Sequence, residues 1–106
     1  MDAVLDFGSI FGGLATGGER EHHAVVGGVD VRLVRLPGGG VGRWDSHDDT
    51  TETVIVWSGV FDVAFRDHTV SLTAGQCCVV PLGAEHCGTS AAGAEVILMK
   101  AAPAAR

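Results

Sequence analysis

From residue 22 onward the chain alternates short apolar runs, rich in Val, Ile and Phe, with breaks made of Gly, Asp or Pro. Runs of this length and composition predict strands, because strand side chains alternate between two faces and Gly, Asp and Pro end them. The expected strands lie near 23–26, 29–36, 42–47, 53–57, 60–65, 69–72, 76–81, 86–90 and 94–100. Ser58-Gly59 and Arg66-Asp67-His68 predict hairpin turns, and Pro37-Gly38-Gly39-Gly40 predicts a mobile connection. The segment before the strands has a different pattern. Residues 3–14 place Leu5, Phe7, Ile10, Phe11 and Leu14 at partly helical spacing, while Gly8, Gly12 and Gly13 weaken a helix. Two outcomes fit, a short helix or a strand that docks on a partner subunit. The pattern divides the chain into an N-terminal extension, residues 1–20, and a barrel domain, residues 21–102. Many short, closely spaced strands with almost no helix predict an all-β antiparallel sandwich or barrel, and a two-sheet jelly roll fits the number of strands.

Composition narrows the function classes. At 106 residues, 46% of them hydrophobic, the chain makes one core and is too short for two. The formal charge is −6, and no stripe gathers the 7 basic side chains, so nucleic acid is not an expected partner. No run reaches 18 apolar residues, so no membrane span is expected. Residues 1–18 lack the basic and apolar regions of a leader. The three cysteines, Cys77, Cys78 and Cys87, are odd in number and two are adjacent, a poor disulfide framework. Together these features predict a reduced, cytoplasmic protein.

Chemistry concentrates between Gly39 and His86. The first half reads Gly39, five residues, Asp45-Ser-His47, four residues, Glu52, six residues, Gly59. The second reads Gly75, five residues, Pro81-Leu-Gly83, two residues, His86. These two spaced motifs resemble those of the cupin superfamily, and of its small single-domain members in particular. The likeness extends over roughly residues 22–100. The family pattern has His where this chain has Asp45, an acidic residue in close relatives at Thr51, and Asn at Ser90. The resemblance implies a double-stranded β-helix, or jelly-roll barrel, with a short N-terminal extension. It also implies a divalent metal ion (Mn, Fe, Zn or Ni), a small-molecule ligand or substrate, and a homodimer.

The candidate ligands are Asp45, His47, Glu52 and His86. Imidazole and carboxylate together suit a divalent ion of borderline hardness. On a strand Arg43, Asp45 and His47 share one face; Glu52 has the wrong parity, so a turn through Asp48-Asp49-Thr50 must reset the register. Two ligand sets remain open. All four side chains would roughly neutralise a divalent ion, weaken it as a Lewis acid and favour harder ions such as Mn²⁺ or Fe²⁺. His47, Glu52 and His86 alone would form a two-His, one-carboxylate set with open positions, leaving Asp45 to pair with Arg43 or act as a general base. Arg43 is the candidate for neutralising a substrate carboxylate.

The remaining polar or reactive residues have plainer expectations. Cys87 should face away from His86 and pack as a small apolar group, and one of Cys77 and Cys78 must point into the barrel. His22-His23, His68 and Glu85 read as surface residues, and Trp44 and Trp57 as packing or interface residues. Gly38-Gly39-Gly40-Val41-Gly42 lacks the Lys and helix of a phosphate loop, and no nucleophile elbow occurs. Three functions compete: a mononuclear metalloenzyme of dioxygenase or isomerase type, a ligand-binding or sensor barrel without catalytic metal, and a structural partner in an oligomer.

Overall fold

A computed structural model describes residues 4–17 and 20–102. Ala3, the first residue of the apolar N-terminal segment, and Glu19 lie outside the described residues. The described elements are α1 (Phe7–Gly17), β1 (Glu21–Val26), β2 (Val29–Pro37), β3 (Gly40–Val41), β4 (Glu52–Phe65), β5 (Thr69–Thr73), β6 (Cys77–Val80), β7 (His86–Ser90) and β8 (Gly93–Ala101). All the strand pairings are antiparallel. One sheet runs β1-β2-β8-β4-β6 and the other β5-β4-β7-β3, so β4 belongs to both. The sheet curls on itself around a core of Val54, Val56, Phe61, Val63, Leu72, Val80, Ala94 and Val96. This is the expected all-β jelly-roll barrel.

Two local expectations are corrected. Ser58-Gly59 is not a hairpin turn: β4 runs through it as one strand of 14 residues. Its pairing with β8 shifts register between Val56 and Ser58. A bulge adds one residue and moves the inward set to the other parity. Glu52, Val54 and Val56 are therefore buried before it, and Phe61 and Val63 after it. Gly59 has φ 82°, and a Cβ there would collide with the Gly93 carbonyl oxygen. The glycine marks a bend, which in sequence is hard to tell from a turn. Residues 42–47, expected as a strand, form regular ladder only just upstream, at Gly40–Val41, followed by an isolated bridge at Asp45. Gly42 still pairs with Gly88, but Asp45 pairs with His86, so Arg43 and Trp44 together oppose Cys87. That extra residue breaks the ladder.

The N-terminal segment forms a helix on its own barrel. Phe7, Ile10, Phe11 and Leu14 follow the i, i+3, i+4, i+7 spacing of one apolar face. That face packs over Val31, Leu33 and Ile97 on the outer surface of the first sheet. Trp57 closes one side, edge-on to Phe7 at 5.9 Å and stacked on Phe11 at 6.1 Å. Asp6 caps the helix, its Oδ1 accepting from the Ser9 amide at 3.2 Å, and this bond holds its carboxyl below the usual carboxylate range. Burial of this face outweighs the poor helix propensity of the three glycines, each about 1 kcal/mol worse than Ala.

Phe11, 2% exposed, is the centre of that contact. Phe11→Ala is expected to lower unfolding free energy by about 3–5 kcal/mol, in line with large-to-small core changes. Gly12 has open space where a Cβ would stand, so Gly12→Ala is expected to raise it by about 1 kcal/mol. Urea denaturation checks both, and an unchanged midpoint for Phe11→Ala would mean that α1 does not dock on the sheet.

Candidate metal centre

Each donor side chain is placed by a distinct piece of backbone. Glu52 is the first residue of β4, buried and paired across to Val80. The bend at Asp48-Asp49 precedes it, supplying the register reset that its parity requires. His86 opens β7, opposite Phe65 at the other end of β4. The turn before it has a Pro81 carbonyl accepting from the Ala84 amide at 3.2 Å and φ 73° at Gly83, the form of turn that favours glycine at its third position. The Gly83 amide also donates to the His47 carbonyl at 2.7 Å, tying the second motif to the first. Asp45 and His86 exchange both backbone hydrogen bonds, at 3.0 and 2.9 Å, so their side chains start from directly opposed positions.

His47, Glu52 and His86 offer donor atoms that all lie within 4.8 Å of one another, a group that could hold a metal ion. Glu52 stands between the imidazoles: its Oε2 is 3.4 Å from His47 Nε2 and its Oε1 is 3.4 Å from His86 Nε2. Ligands about 2.1 Å from one ion sit roughly 3.0–3.4 Å apart at octahedral to tetrahedral angles, and each gap, taken to a different oxygen of Glu52, falls at that spacing. His86 Nδ1 lies 3.0 Å from the Ala84 carbonyl oxygen, which can only accept. A proton on Nδ1 satisfies that contact and leaves Nε2 facing Glu52. In the neutral ring that nitrogen offers a lone pair, which together with the carboxylate suits a cation between them. Asp45 stands at the edge of this group, its carboxylate 67% exposed, with Oδ2 4.0 Å from His47 Nε2 and Oδ1 accepting from the Ser46 amide at 2.8 Å.

The donors line a cavity of about 480 Å³. Apolar residues such as Val34, Leu36, Phe61 and Leu98 share its lining. A Cβ on Gly88 would strike the Phe61 ring, so glycine there keeps the ring in place. Arg43 lines the cavity, as its parity with Asp45 predicts. Trp44 lines it too, against the simple alternation that turned it away, because the break opposite Cys87 spoils that alternation. The Arg66 guanidinium lies 3.9 Å above the Trp44 ring and pairs with Glu85 at 3.0 Å. Two cavity residues went unnoticed in the sequence, Arg32 and Glu21. The available signal was an Arg on the same face of β2 as Val34 and Leu36.

The cysteines behave as small apolar groups. Cys87 is buried, and its thiol lies 2.9 Å from the Gly42 carbonyl oxygen, away from the donors. Cys78 packs against the core while Cys77 is exposed. Burial, and then the neighbouring Cys77, push the Cys78 thiol up.

No curated protein sequence matches the chain. A cupin-2 domain containing protein from Shewanella frigidimarina is similar in structure, with TM-score 0.78 and 27% identity over 92% of this chain and 94% of that one. The protein NMB1881 from Neisseria meningitidis matches with TM-score 0.80 and 21% identity over 94% of this chain and 100% of its own. KdgF from a Halomonas species matches with TM-score 0.66 and 19% identity over 78% of each chain. The last two likenesses concern the fold alone. In sequence, the cupin domain pattern matches residues 32–99, from β2 to β8, and by that match the chain belongs to the cupin domain family.

Proposed function

We propose that this cupin holds one divalent metal ion through His47, Glu52 and His86, with Asp45 as the fourth ligand, and binds a small polar molecule beside it as a mononuclear metalloenzyme. The convergence of three donor atoms within 4.8 Å carries the reading. An ion bound there would supply Lewis acidity and open coordination positions for substrate oxygen atoms. The protein's own residues do the rest. Ala84 fixes the His86 tautomer, burial keeps water from Glu52, and the apolar wall sheds water from the ligand. Arg43 neutralises a substrate carboxylate. Mn²⁺, Fe²⁺, Zn²⁺ and Ni²⁺ all suit such donors, with the second carboxylate favouring the harder two.

The competing reading is a ligand-binding barrel without catalytic metal. The exposure of Asp45 favours it, since a carboxylate turned to water needs no ion. Elemental mass spectrometry of untagged protein separates the two. Near one equivalent of metal is expected in wild type, with nearly none in Glu52→Ala and His86→Ala. Asp45→Ala is expected to keep the ion with about 10–100-fold weaker affinity. Unaltered affinity in that variant would remove Asp45 from the ligand set. Wild type that takes up no metal, even with added Fe²⁺ or Mn²⁺, would leave the metal-free barrel.

The same proposal includes a homodimer. The open edge of β1 and the exposed side chains of Val25, Val60 and Val79 support it, because bare edges and apolar patches invite a cover. Light scattering at micromolar concentration is expected to give twice the chain mass, and a single-chain mass would overturn it.

A further inference from the structure

On β2, Arg32 shares a face with Val34 and Leu36, which pack against the barrel core. It pairs in register with Leu98, and Leu98 with Val54, so the row continues across the inner surface toward Glu52, two residues before Val54. Arg32 and Glu52 thus line one cavity. The Arg32 side chain is 41% exposed at the cavity mouth and has a charged partner there. Glu21, at the start of the edge strand β1 and diagonal to Arg32, is that partner. Arg32 Nη2 and Nε both lie 2.6 Å from the same oxygen, Glu21 Oε1. That bond holds the guanidinium more firmly protonated than usual. Both donors converge on one oxygen, so the pair lacks the two parallel bonds that a guanidinium fork can make.

We propose that Arg32 is the anchor for a carboxylate of the ligand, that Glu21 is a displaceable stand-in for that carboxylate, and that the cavity takes a small diacid or oxo acid. One end would sit on Arg32 and the other at the metal group; the second end rests on the metal-centre reading above, and the first does not. Charge supports the assignment. The cavity lining holds Arg32 and Arg43 against Glu21, Asp45 and Glu52, and a divalent ion turns that negative balance positive. Metal therefore favours an anionic ligand in the same space.

Titration calorimetry with malonate, succinate and glutarate, with and without Mn²⁺, tests this, with acetate as the single-carboxylate control. At least one diacid is expected to bind the Mn²⁺-loaded protein. Arg32→Met is expected to weaken it about tenfold or more, and Arg32→Lys to restore part of the loss, as for a charge-assisted fork contact. Glu21→Gln is expected to tighten it, because the competing charge is gone. Circular dichroism of all three variants is expected to match wild type, which reports that they fold, and acetate is expected to bind far more weakly than the diacid. Equal diacid affinity in wild type and Arg32→Met, or no diacid binding in either metal state, would overturn the anchor. Failure of Mn²⁺, Fe²⁺, Zn²⁺ and Ni²⁺ alike to bind would sink the metal centre, and the dependence of diacid binding on Arg32 in metal-free protein would still decide the anchor.

Discussion

Everything in this barrel hangs on one strand serving two sheets. The first half of β4 pairs with β6 and β8, and the second half with β5 and β7. The change occurs at the bulge after Val56 and the bend at Gly59, where only glycine fits against Gly93. The same strand sets the donor geometry. Glu52 is its first residue, and Phe65, its last, pairs with His86. Curling β4 between sheets therefore brings Glu52 and His86, the cross-strand partner of Phe65, to one cavity. A side chain on Gly59 would disturb the core and the donor group together, although it touches neither donor.

What was legible in the sequence follows from what a local pattern can encode. The boundaries of β7 and the hairpin between β4 and β5 came through, because polar turn residues bracket them. The spacing of the two motifs led to His47, Glu52 and His86, since fixed counts through turns survive folding. The bulge at Ser58-Gly59 and the break opposite Cys87 did not come through. Each is a single extra residue whose meaning depends on a partner strand distant in sequence. Trp44 shows the consequence: strict alternation turns it outward, and the broken ladder returns it to the cavity. For residues 4–17, three glycines argued against a helix, while the apolar face of α1 finds its cover on the outer sheet surface.

Arg32 was missed for a related reason. Both faces of β2 are apolar over much of its length, one toward α1 and one toward the barrel interior. In sequence such a strand does not say which face is inner, so an Arg within it reads as an ordinary solvent-facing residue. The docking of α1 over Val31 and Leu33, and the packing of Val34 and Leu36 against the core, assign the other parity, with Arg32, to the cavity. The helix thus covers the face of β2 that the cavity does not use.

The chemistry of the donor end follows from burial. Glu52 is 6% exposed, and a carboxylate taken that far from water needs compensating positive charge. Its near neighbours are two imidazoles, those of His47 and His86. Either a second proton on imidazole or a cation among the three donors balances the site. The cation also satisfies the His86 lone pair, which a proton could do only by charging the ring. The physical cost of burying Glu52 and the spacing of its partners are both compatible with one small cation held among the three donors.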